Sequence, residues 1–107
     1  MAKWGNYMTE LDKLEMYLKE HGIKYERIDE DNLGWSIRHQ IAVPCLPENG
    51  KTDWDAICQK GSYGFESGLL EIYGSLVSKE IDGDSVVGWL TAEDVILRLE
   101  CSQEINS

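Results

Sequence analysis

Near the start of the chain, Leu11, Leu14 and Leu18 recur at three- and four-residue spacing, while Asp12, Lys13, Lys19 and Glu20 lie largely off that stripe. This is the period of an amphipathic helix with one buried face. Thr9, with Asp12 three residues on, supplies an N-cap with an acid at N3, and Gly22 supplies a stop, so the spacing predicts a helix over 9–21. Residues 1–8, MAKWGNYM, show no period and read as an N-terminal extension.

After Gly22 the pattern changes. Residues 23–28 are rich in β-branched and aromatic side chains and predict a first strand at a sheet edge, closed by the acidic turn Asp29-Glu30-Asp31-Asn32. Next comes a strict alternation, with Trp35, Ile37, His39, Ile41 and Val43 on one face and Ser36, Arg38, Gln40 and Ala42 on the other. It describes a half-buried strand. Pro44 and Pro47 end it, because proline brings no amide proton to a ladder, and Asn49-Gly50 suits a tight hairpin turn. A third strand is expected to return antiparallel, with Trp54, Ala56 and Cys58 facing one way and Asp53, Asp55, Ile57 and Gln59 the other.

Residues 69–76 are apolar enough for a buried strand or a short helix, and Gly74 favours the strand. The polar run 78–85 reads as a flexible connection before Val86-Val87-Gly88-Trp89-Leu90. A second capping pattern, Thr91 with Asp94, is flanked by Leu90 and Val95 at the positions of a hydrophobic staple. It opens a final helix with Ala92, Val95, Ile96 and Leu99 inward, and the chain from Cys101 is expected to fray, leaving 102–107 as a tail. The order of elements predicts one α+β domain over 9–101: an antiparallel sheet of three to four strands with an N-terminal and a C-terminal helix packed on one face.

Charge alters the picture of partners. Twenty acidic against ten Lys and Arg residues give a formal net charge of −10 over 107 residues, which repels nucleic acid and anionic membrane surfaces. Neither is expected to bind directly. The three cysteines, Cys45, Cys58 and Cys101, lack CxxC spacing and fall in or beside apolar segments, so they read as small hydrophobes rather than as disulfide partners. No apolar signal segment is legible, and a cytoplasmic location is the simplest expectation.

Candidate chemistry is incomplete wherever it begins. Asp82, Asp84 and Glu93 fit positions 1, 3 and 12 of a calcium loop, but Val87 stands where its glycine is required. His39, Cys45 and Cys58 have no zinc spacing. Lys60 replaces the first glycine of a serine elbow around Ser62. Asp53 and Asp55 share a strand face, with Glu66 and Glu71 nearby in sequence, as a solvated outer surface would or as a pair that binds a cation or a basic partner or does acid–base work. Gly61, Gly64 and Gly68 follow neither phosphate-binding glycine pattern. No cofactor or metal is expected.

What remains is the loop 61–68, where Tyr63 and Phe65 flank Gly64 and precede Glu66. Its aromatics either fold back onto the sheet or stand out as interface anchors. The sequences WDAIC at 54–58, GSYGFESGLLEIYG at 61–74 and DSVVGWLTAEDVI at 84–96 resemble those of a family of small proteins encoded by phages and prophages of Firmicutes, many from gut clostridia. The resemblance spans about residues 9–100. It implies a mobile-element accessory protein and brings no catalytic residues. The leading expectation is a non-enzymatic module that binds a host or phage protein, in a counter-defence role among others, through the 61–68 loop with Ser62, Tyr63, Phe65 and Glu66 and the neighbouring acidic surface. A second is a nucleotide-like ligand pocket walled by Trp54, Tyr63, Phe65 and Trp89, with Glu66 or Asp55 fixing a polar group. An enzyme would require a cleft bringing His39 to Ser62 or Asp55. Homodimerisation through the 23–28 edge stays open.

Overall fold

Helix α1, Glu10–Glu20, begins in the computed structural model with the capping box expected of its sequence. The Thr9 hydroxyl accepts from the Asp12 amide and the Asp12 carboxylate accepts from the Thr9 amide, both at 3.0 Å. Two of the amides that a helix start leaves without partners are thereby satisfied. The structure describes residues 8–31, 37–44 and 51–106, so the expected Asn49-Gly50 turn, Trp35, Cys45, Pro47 and most of the N-terminal extension lie outside it.

Five strands follow: β1 Glu26–Asp31, β2 Ile37–Pro44, β3 Thr52–Ile57, β4 Leu70–Gly74 and β5 Val86–Leu90. They form one antiparallel sheet in the order β1-β2-β3-β4-β5. The α+β architecture is as expected, but the strand count is five rather than three or four. The added strand is β5, whose alternation is broken by a bulge: Leu70 pairs with Leu90 while Ile72 pairs with Val87. β1 is also displaced toward the C-terminus. The expected turn Asp29-Glu30-Asp31 lies largely inside it, with Asp29 opposite His39, because an edge strand can keep charged side chains in water.

Register assigns the faces. Ile41 lies opposite Ala56, Ala56 opposite Ile72, and Val43 opposite Trp54, and all five are buried. Leu11, Leu14 and Leu18 of α1 cover this face together with Ala92, Val95 and Leu99 of helix α3, Ala92–Asn106. Each buried leucine contributes about 1.5–3 kcal/mol relative to exposure. α3 opens on the predicted Thr91–Asp94 capping box and continues past Cys101, where fraying is expected, to Asn106. Cys58 is half-buried and packs against the core as a small hydrophobe, whereas Cys101 is exposed.

Polar bonds fix the two helices to each other. The Glu10 carboxylate accepts from the Ala92 amide at 2.7 Å, so α1 supplies a cap for α3. The run expected to be a flexible connection instead contains a short helix, α2, Lys79–Asp82. Asp82 accepts two hydrogen bonds from Arg98 of α3, at 3.0 and 2.9 Å, and a third from the Ser78 amide at 2.9 Å. A charge-assisted fork of this kind gives so short a helix a partner outside itself.

Candidate functional site

The β3–β4 connection is built from the backbone upward. Pairing with β2 persists beyond Ile57, since the Cys58 amide donates to the His39 carbonyl at 2.8 Å and the Lys60 amide to that of Ile37 at 3.0 Å. Ser62 then closes a turn: its amide and its hydroxyl both donate to the Gln59 carbonyl, at 2.8 and 2.7 Å, and the hydroxyl accepts from the Gln59 amide at 3.0 Å. The hydroxyl thus holds the turn from both sides.

Beyond that turn the loop is anchored to both neighbouring strands. The Tyr63 amide donates to Glu71 of β4 at 2.9 Å, and the Tyr63 carbonyl accepts from the Trp89 amide of β5 at 3.3 Å. Gly64 carries the chain through φ +97° into a 3-10 turn, Phe65–Ser67. A side chain at Gly64 would press on the Leu69 Cβ at 2.9 Å and the Trp89 backbone at 3.2 Å, so glycine is needed for both its angle and its size. Gly88 meets Tyr63 at similarly close range.

Trp89 is the one non-glycine residue with a positive φ, +62°, among the described residues. The left-handed region costs an L-residue about 1–2 kcal/mol. Trp89 is nevertheless 63% exposed, and Tyr63 56%, so burial offsets little of that strain. The two aromatics, with Ser62, Phe65 and Glu66, line a recess of about 320 Å³. Among the described residues the stacked ring pair is Tyr17–His21, which leaves the ring faces in the recess without aromatic partners.

The structure divides the candidate residues. Ser62, Tyr63, Phe65, Glu66 and Trp89 come together, whereas Trp54 is 2% exposed in the core and forms no wall of the recess. Asp55 lies on the helix-free face of the sheet, in a depression of about 250 Å³ beside Tyr73 and Thr52. Its carboxylate accepts from Gln40 at 2.8 Å, and burial, assisted by the nearby Glu71, pushes its pKa up despite that bond. Glu71, legible in the sequence only as a carboxylate near the Asp53 and Asp55 pair, holds the loop through the Tyr63 amide. Nothing in its spacing announces a bond to the Tyr63 amide, whereas a glycine inside a β5-like run does signal close backbone approach at Gly88.

His39 occupies neither group. It lies opposite Cys58 on the helix-covered face, and its Nδ1 is 2.7 Å from Asp29 Oδ1. A cavity of about 130 Å³ lies between Leu11, Arg27, His39 and Cys58. Arg27 there bonds to Asp12, Glu15 and Asp29, so its charge is already matched by three carboxylates. Burial pushes the Cys58 thiol up, away from the thiolate form. Among the described residues no cleft joins His39 to Ser62 or Asp55: His39 and Ser62 line separate depressions, and alternation puts His39 and Asp55 on opposite faces.

Of the incomplete calcium pattern, Asp82 is bound to Arg98 and Asp84 to the Ser85 amide. Among the described residues no group of three or more His, Cys, Asp or Glu side chains is disposed to hold a metal, and no helix is long and apolar enough to cross a membrane. Set against known proteins, the chain matches no family model, no curated sequence and no solved structure.

Proposed function

We propose that this chain is a non-enzymatic protein-binding module whose contact surface is centred on Tyr63 and Trp89. One observation carries the reading: two large aromatics stand exposed on a backbone tied to two strands, one of them at a left-handed angle in the β5 bulge whose strain its own exposed ring does little to offset. Strain retained at an exposed side chain is a mark of function, and tyrosine and tryptophan are the residues that dominate interface energies. Rigid anchors also lose little freedom on binding.

The resemblance to phage and prophage proteins supports a host or phage protein as partner, and the charge of −10 supports a basic face on it. A nucleotide-like pocket is less well supported, because its fourth aromatic wall, Trp54, belongs to the core. Pairing of two copies through β1 is opposed by electrostatics, since each would bring Glu26, Asp29, Glu30 and Asp31 to the seam against Arg27.

The test is quantitative capture from a clostridial lysate with the full chain, with Tyr63→Ala and Trp89→Gly variants, and with Ile81→Ala as a control at an exposed site on α2. Partners enriched by the parent and by Ile81→Ala are expected to be lost from both aromatic variants, with circular dichroism confirming that all four fold. Identical partner sets in every arm would remove the contact surface from Tyr63 and Trp89.

A further inference from the structure

We infer that the recess receives an arginine side chain of the protein partner, an assignment that rests on reading Tyr63 and Trp89 as the contact surface. Three aromatic side chains, Tyr63, Phe65 and Trp89, line one recess with a single carboxylate, Glu66. Aromatic faces carry negative potential and attract cations, with tryptophan the strongest. Those faces have no ring partner among the described residues, and no lysine or arginine lines the recess.

Further negative charge stands nearby. Glu71 sits behind the loop with one oxygen on the Tyr63 amide, and the chain as a whole carries −10. A neutral apolar side chain would gain nothing from Glu66, and an acidic one would be repelled. Arginine fits better than lysine because its planar guanidinium stacks flat on an aromatic ring while its edge bonds a carboxylate through two parallel N–H groups. The recess is also open, and guanidinium is less strongly hydrated than ammonium, so less solvation is lost at a site that stays partly wet. Gly61, where a side chain would stand in open space, leaves that part of the lining free for the long stem of arginine.

The experiment titrates the full ¹⁵N-labelled chain with the capped tripeptide Gly-Arg-Gly, its citrulline counterpart and its lysine counterpart, following the Trp89 indole N–H and the amides of 62–67. The arginine peptide is expected to shift those signals saturably, with affinity about fivefold or more above citrulline, the neutral isostere. Glu66→Gln is expected to weaken it about threefold or more, and added salt to weaken it further. Among the described residues Glu66 has no hydrogen-bond or ion-pair partner, so this variant is expected to leave the loop intact. Citrulline binding equally well, lysine binding more tightly, or signals unmoved at ~20 mM arginine peptide would each overturn the assignment. If lysate capture still depends on Tyr63 and Trp89 in that event, the arginine assignment alone fails. If capture is independent of them, the contact-surface reading fails, whatever the peptides do.

Discussion

The Cα of Gly88 faces the side chain of Tyr63 so closely that a methyl group added at Gly88 would overlap the Tyr63 Cβ and crowd its carbonyl oxygen at 2.9 Å. Loop and strand therefore touch backbone to backbone. Replacing Gly88 with alanine is expected to destabilise the protein by about 1–3 kcal/mol, the usual result of overpacking, and to shift the amide signals of 62–67. Urea unfolding and an amide spectrum check both. An unchanged midpoint with unchanged loop signals would show that the loop does not rest on β5.

Trp89 offers the converse case. Its left-handed φ suits glycine far better than alanine, while its exposed ring contributes little packing. Trp89→Gly is expected to be more stable than Trp89→Ala by about 1 kcal/mol, measured from denaturant midpoints. Equal stabilities would mean that the backbone at 89 relaxes when the ring is removed, so that no strain is held there.

Asp55 gives a pH signature. Its carboxyl titrates above the ordinary value in the folded chain, chiefly through burial, so between the ordinary and the raised value the native state holds a proton that the unfolded state has lost. Stability from this group falls as pH rises through that window. Asp55→Asn can still accept from Gln40 and carries no ionisation penalty. It is expected to gain on the parent as pH rises from ~4 toward neutrality and to hold a constant lead above the window. Asp12 and Asp29, where hydrogen bonds and Arg27 outweigh burial, are lowered, and so is Asp82, held chiefly by Arg98. Their contributions run the other way and disappear in acid, so the measurement is the difference between parent and variant across pH. A difference flat from pH ~3.5 to 7 would contradict the assignment.

Both long helices were legible from local chemistry alone: Thr9–Asp12 and Thr91–Asp94 cap within four residues, and the leucine spacing of α1 needs no tertiary context. Edge strands were harder to read. β1 keeps its charges in water on its open side, and β5 breaks its alternation at Gly88–Trp89, so both lose the period that betrays a central strand. α2 escaped notice because part of its support is Arg98, distant in sequence. The aromatic-glycine composition of 61–68 located the recess, but Trp54 was drawn into it by proximity in the chain, although its own alternation with Ala56 pointed to the core. No local pattern could announce the Glu71–Tyr63 bond, which depends on the path of a folded loop.

The strand order has a kinetic consequence. Every pairing in the sheet joins consecutive strands, so loop-closure entropy is small at each step and the sheet can grow one hairpin at a time. The Glu10–Ala92 bond, by contrast, joins residues 82 apart. Closing a loop that long costs more entropy than any hairpin of the sheet, and until it occurs the leucine stripe of α1 has only the sheet to cover it.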